Sequence, residues 1–148
     1  GVMKTNRRII LASGFALALV SLLPVTSATS STVMSAPEAL EAANRGELVL
    51  VDIRTRAEWR ETGLAEPAKA ISMHEAGFVR NLSEALGGDR TRQLALICAT
   101  GGRSAHMSLI LATAGFSNII DVSEGMIGSS VGPGWIKRGL PLKTWVPN

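Results

Sequence analysis

The chain has 148 residues, 46% of them hydrophobic, enough to build one domain around a real core, and nothing in the composition suggests a second domain. Its formal net charge is +3, and Lys4, Arg7 and Arg8 account for it: without them 12 basic residues face 12 acidic ones. A neutral domain has no broad electrostatic attraction for nucleic acid or anionic lipid, which excludes partners held by net charge alone.

Gly1 and Val2 stand ahead of the first methionine, Met3, and read as residues added to the natural chain. Three basic residues, the apolar run Ile9 to Leu23 and the small-residue stretch Pro24 to Ser30 then match a secretory signal peptide over residues 1–28, with Ala28 the last residue removed. The run is shorter than the roughly 20 residues that a membrane-spanning helix needs. An uncleaved signal anchor, which would tether the domain to a membrane, is the alternative. The expected product is a periplasmic or secreted domain over residues 29–148, free of the membrane once the leader is cut.

Ser27 to Ser31 read as a linker and Thr32-Val33-Met34 as a short strand. Ser35-Ala36-Pro37-Glu38 carries the marks of a helix start, a capping residue with proline and an acid in the first turn, and the helix runs to about Asn44 before Gly46. Leu48 to Val51 is a continuous apolar run ending at Asp52, as in a central parallel strand covered on both faces. A helix from Arg56 to Glu61, a strand from Ala70 to Met73 and a helix from Phe78 to Leu86 come next. Gln93 to Ile97 is another strand, Ser104 to Ala114 the best helix, and Ile119 to Val122 the fifth strand. Glycines at 125, 128, 132 and 134 then mark a loop before Trp135. Strands alternating with helices at this spacing predict an α/β fold, a central parallel five-stranded sheet with helices on both faces. Chemistry in such sheets gathers at the carboxyl ends of strands, where Asp52 and Cys98 both fall.

Cys98 is the only cysteine. One cysteine cannot form an internal disulfide, so in an exported protein it is a reactive thiol or an intermolecular link. The bland alternative, a small buried hydrophobe, does not call for the run Ala99, Thr100, Gly101, Gly102, Arg103 and Ser104 that leads from it into a helix. Glycines let the backbone curl there, so that N–H groups and the positive end of the helix converge on one spot and favour a thiolate.

Several segments together resemble the single-domain rhodanese family of sulfurtransferases. Leu48 to Arg54 with Glu58-Trp59 and Gly63 is similar to that family's first motif, and Cys98-x-x-Gly101-x-Arg103-Ser104 to its active-site loop. Gly115-Phe116, Asp121 to Gly125 and the late Trp135 are similar to its closing segment, so the resemblance covers roughly Val33 to Leu142. It implies a single rhodanese-like domain and a double displacement. Cys98 would take a sulfane sulfur from a small sulfur-containing anion such as thiosulfate, become a persulfide, and pass the sulfur to cyanide, a small thiol or a protein thiol. Backbone N–H groups from Ala99 to Ser104 would stabilise both the thiolate and the persulfide, with Gly101 and Gly102 leaving room for the sulfur. No metal or organic cofactor is implied.

Arg103 has two readings: it binds the anionic donor, or it pairs with Asp52 or Glu58 and braces the loop. Bracing is favoured, because bidentate arginine geometry suits it, and Asp52, Arg54 and Glu58 are then supporting residues. Ser104 reads as a cap or first-turn residue. One departure from the family pattern is Gly63 to Ala70, where many relatives carry Gly-His-Ile-Pro-Gly-Ala; the local turn there is in doubt. The two histidines, His74 and His106, read as exposed or core-edge residues, although His106, three positions past Arg103, could approach the site.

Three alternatives stay open. A non-catalytic binding module of the same fold would normally lack the cysteine. A protein-specific sulfur-relay partner would use the same persulfide. A phosphatase or arsenate reductase of related fold would need five residues between cysteine and arginine, where this chain has four.

Overall fold

The computed structural model describes residues 32–148, with 1–3, 14, 16, 18, 19 and 21–23. Lys4, Arg7, Arg8, Ala28 and the linker, on which the expected signal peptide rests, lie outside the described residues.

The domain opens with β1 (Thr32–Val33) and α1 (Ala36–Asn44). The three signals read at the start of α1 are in place: the Ser35 hydroxyl caps the Glu38 N–H, the Glu38 carboxylate returns to the Ser35 N–H, and Pro37 sits in the first turn. β2 (Val49–Asp52) leads to α2 (Arg56–Thr62), whose start repeats the device with Thr55 and Glu58. Next come β3 (Leu64–Ala65), β4 (Lys69–Ala70), α3 (Phe78–Ala85) and β5 (Leu94–Ile97). The chain continues through α4 (Gly102–Thr113), β6 (Ile119–Asp121) and β7 (Leu142–Lys143).

Five strands form one parallel sheet in the order β1-β6-β5-β2-β4. β5 lies at its centre with every residue from Leu94 to Ile97 inaccessible, and alternate side chains serve opposite faces. Ala95 and Ile97 join Leu50, Ile120, Trp135 and the alanines of α1 on one face. Leu94, Leu96 and Cys98 join Val51, Leu82 of α3 and Leu111 of α4 on the other. Helices therefore cover both faces, the α/β arrangement expected from the alternation. Burial on two faces is why the strands read as continuous apolar runs.

Three features differ from expectation by more than one residue. The third strand is Lys69–Ala70 rather than Ala70 to Met73; Ile71 and Met73 still donate to the Asp52 and Ile53 carbonyls while packing on the second core, so their apolar character marks burial beyond the ladder. α4 begins at Gly102, two residues before Ser104, because Gly101 adopts φ +89° and turns the chain into the helix with no side-chain cap. A second, two-stranded antiparallel sheet, β3 with β7, has no counterpart among the expected elements. Its strands are two residues each and distant in sequence, too short for any periodicity to show.

The carboxyl end of β2 is held by a buried ion pair. Arg54 donates to both Asp52 carboxylate oxygens at 2.8–3.1 Å, to Thr62 Oγ1 at 3.0 Å and to the Gly63 carbonyl at 3.0 Å, with both charged side chains fully inaccessible. These partners on two elements tie the strand to the far end of α2. Removing one member strands the other charge in the core, which typically costs about 3–5 kcal/mol. Asp52→Asn is therefore expected to lower unfolding free energy by about that amount in a urea titration; an unchanged midpoint would contradict the assignment.

Candidate active site

Cys98 directly succeeds β5 and is 1% exposed. The chain has only Ala99, Thr100 and Gly101 in which to leave the sheet and enter α4. Two glycines make this path possible. Gly101 sits at φ +89° with its Cα against the Ser123 carbonyl, and Gly125 at φ +69° lies against the Ala99 and Cys98 carbonyls, so a Cβ at either would collide with backbone. The closing segment also clamps the loop, Met126 donating to the Cys98 carbonyl at 2.8 Å and Ile127 to the Ala99 carbonyl at 2.9 Å. Gly102 is different: its φ is ordinary and the space around it is open, so it keeps the mouth of the loop clear and is not required by backbone conformation.

The loop converges on Sγ. The Gly101 N–H donates to it at 3.2 Å and the Ser104 N–H at 3.4 Å, while the thiol hydrogen is placed to donate to Ser104 Oγ at 3.4 Å. Of the N–H groups expected from Ala99 to Ser104, these two reach the sulfur. Ser104 lies in the first turn of α4, its hydroxyl donating to the Gly101 carbonyl at 3.1 Å, and Ser108 fastens the next turn by donating to the Ser104 carbonyl at 2.7 Å. The first turn's amides and the positive end of the helix macrodipole thus face one sulfur atom, a setting that stabilises negative charge there.

Arg103 points to α2. Its Nη2 donates to Glu58 Oε1 at 2.6 Å and its Nη1 to Glu58 Oε2 at 2.9 Å, a bidentate pair. Glu58 Oε2 also accepts from the Thr55 N–H and hydroxyl, each at 2.9 Å. The Arg103 hydrogen bonds, above all, hold the Glu58 carboxyl at about 2, well below its usual value. Of the two carboxylates expected as partners for Arg103, Glu58 makes the pair and Asp52 serves Arg54. The histidine beside the loop is His74, whose Nε2 lies 3.4 Å from Arg103 Nη1, rather than His106, which is exposed on α4.

Asp121 opens the closing motif, which gives it no role in the site. It closes β6, is 4% exposed, and its Oδ1 has no hydrogen-bond partner; burial pushes its carboxyl above the usual range, partly offset by the neighbouring Ser104 hydroxyl. Apart from that motif, its sequence signal is an acid ending an apolar strand, the same signal that marks Asp52. No cluster of His, Cys, Asp or Glu able to hold a metal ion occurs among the described residues.

A carboxyl depressed in the fold adds stability above its unfolded pKa, and this is lost as pH falls through the folded value. For Glu58 that window runs from its ordinary value of 4.5 down to about 2. The full shift corresponds to about 3 kcal/mol, and partial exposure of both side chains reduces it to about 1–2 kcal/mol. Glu58→Gln should therefore be less stable than wild type by about 1–2 kcal/mol at neutral pH, with the gap closing as pH falls toward about 2. A gap that is constant across that range would refute the ion pair as its source.

Comparison with known proteins places this geometry in a lineage. A family model described as "Rhodanese-like domain" matches residues 35–128. The uncharacterized protein RP600 of Rickettsia prowazekii is 28% identical over 98 residues, 62% of this chain and 80% of that protein. Among solved structures, Rv0390 from M. tuberculosis superposes with a TM-score of 0.63 at 22% identity, covering 79% of this chain and 100% of the other. The polysulfide-sulfur transferase homodimer from Wolinella succinogenes superposes with a TM-score of 0.56 at 23% identity, covering 76% of this chain and 78% of the other. With the α/β sheet and the cysteine loop in the same order as the resemblance required, the chain is a member of the rhodanese-like domain family.

Proposed function

We propose that the protein is a sulfurtransferase that carries a sulfane sulfur on Cys98. The observation that carries this reading is the loop itself, in which the one cysteine of the chain meets the Gly101 and Ser104 N–H groups at a helix N-terminus. Four residues between Cys98 and Arg103 make a cradle for a single sulfur rather than for a tetrahedral oxyanion. The Wolinella protein with a similar fold is described as a polysulfide-sulfur transferase, which supports the same class of chemistry.

In the first half-reaction the Cys98 thiolate attacks the outer sulfur of thiosulfate. The donor S–S bond breaks and sulfite leaves with its electron pair, giving a Cys98 persulfide. Cyanide or a thiolate acceptor then attacks the outer sulfur, and the Cys98 thiolate leaves and is regenerated. The loop N–H groups favour each anionic sulfur in turn. Because the Arg103 guanidinium is engaged by Glu58, it holds the loop, and the donor's charge is met by backbone amides and the helix end. The leader composition supports export, which makes an exported thiol or a small periplasmic anion the partner class.

The purified chain incubated with thiosulfate and cyanide should form thiocyanate, and thiosulfate alone should add the mass of one sulfur atom. Cys98→Ser should abolish both. A folded protein that gains no sulfur from thiosulfate, polysulfide or a small persulfide would overturn the reading in favour of a binding module.

A further inference from the structure

The segment after Trp135 lies beyond the matched family stretch, which ends at residue 128, and the sulfur-transfer scheme gives it no part. It returns to α2. β7 runs antiparallel to β3, with Lys143 opposite Leu64 and Leu142 opposite Ala65. The Glu66 N–H donates to the Pro141 carbonyl at 3.0 Å, and the Trp135 indole N–H reaches the same carbonyl at 2.9 Å. The Lys143 carbonyl packs on Gly63, the C-cap of α2, where a Cβ would stand 2.7 Å from its oxygen. Beyond β7 the Trp145 ring meets that of Trp59, with centroids 5.4 Å apart and planes tilted by 55°. The Arg56 and Arg60 guanidinium carbons stand over the same Trp145 ring, 5.8 and 5.2 Å from its centroid.

These contacts fix the rotation of α2 about its own axis. Residues 56, 59 and 60 are spaced by three and four and so share one face of the helix. Trp59, 2% exposed, is the buried residue that seats α2 on the domain, and Trp145 lies against it. Glu58, its neighbour in the chain, holds Arg103 at 2.6 and 2.9 Å. Side-chain ends stand about 5–6 Å from a helix axis, so a rotation of about 20° moves one by about 2 Å, enough to break a bidentate pair. A second line of contacts leads to the same place. Arg56 also donates to the Glu75 carboxylate, and the adjacent His74 has its Nε2 3.4 Å from Arg103 Nη1. Both lines begin at α2 residues in contact with Trp145 and end at the arginine of the cysteine loop.

We propose that Trp145 is a positioning residue for the Cys98 loop: by holding α2 in one rotation it keeps Glu58 on Arg103, and with it the Gly101 and Ser104 N–H groups on the sulfur. The inference rests on Cys98 as the sulfur carrier and deepens that reading by adding a residue from outside the matched family stretch to the frame of the loop. A ring that merely stabilised the domain would loosen all elements together when removed. A ring that sets the rotation of α2 loosens the cysteine loop, and does so through Glu58.

Amide hydrogen exchange of the full chain, followed by mass spectrometry, separates the two without any sulfur donor. Trp145→Ala should speed exchange of the amides of Gly101 to Ser104 at least about threefold, and leave the amides of β5, which open only with the whole domain, at their wild-type rate. Glu58→Gln should loosen the loop likewise, and Trp145→Ala should add nothing to the loop in that background. Trp145→Phe, which keeps an aromatic ring beneath the two guanidinium groups, should restore the wild-type loop rate. In the thiosulfate and cyanide assay, kcat/KM should fall at least about threefold with Trp145→Ala, recover with Trp145→Phe and fall no further when Trp145→Ala is added to Glu58→Gln. If Trp145→Ala does not fold, Arg60→Gln, which leaves the Trp145 ring on Trp59, should loosen the loop in the same direction. An unchanged loop, equal acceleration in the loop and β5, or effects that add in the Glu58→Gln background would overturn the proposal. A loop that loosens as expected in a protein that takes no sulfur would count against sulfur transfer and support the positioning role.

Discussion

The architecture of the site depends on how fast the chain must turn at the end of β5. The strand is buried on both faces and cannot release its last residue to solvent, while α4 has to start close enough for its first amides to reach back to the strand end. Three residues do this, and they can because Gly101 takes a backbone conformation that side-chain-bearing residues rarely adopt, against a carbonyl that leaves no space for a Cβ. That turn sets the position of the Ser104 amide over Sγ, the direction of the helix macrodipole, and the burial of the thiol in the core between sheet and helices.

Two arginine–carboxylate pairs support the turn in different ways. Asp52–Arg54 is fully inaccessible, is reinforced by Thr62 and the Gly63 carbonyl, and fixes the end of β2 to α2. Glu58–Arg103 is part-exposed and spans from α2 to the first turn of α4, so it transmits the position of that anchored helix to the cysteine loop. Glu58 is already immobilised by capping α2, which spares the pair most of the ordering cost that weakens ordinary surface ion pairs. The arginine that closes the loop is thus an element of its frame.

Much of this is legible in the residues. Continuous apolar runs at Leu48 to Val51 and at Leu94 to Ile97 read as central strands because two-sided burial demands them, and the Ser35 cap with Glu38 is local chemistry that tertiary contacts do not override. The cysteine, the glycines and the arginine stand out because their types and spacing make sense together. The features that escape a sequence reading are decided at a distance. Spacing cannot choose between Asp52 and Glu58 as the partner of Arg103, since α2 and α4 meet only in the fold. The β3–β7 pair and the approach of His74 rather than His106 depend on where distant parts of the chain lie in space. The burial of Asp121 with an unpartnered oxygen is likewise decided by the fold.

Sulfur transfer in this site requires Cys98 to hold a sulfur among the loop amides while Arg103 stays with Glu58. The most direct test is a crystal structure of the protein after exposure to thiosulfate. The expected result is an additional sulfur on Sγ, enclosed by backbone N–H groups of the loop, with the Arg103–Glu58 pair intact. An unmodified sulfur, or a guanidinium that has left Glu58 to hold the donor, would contradict it.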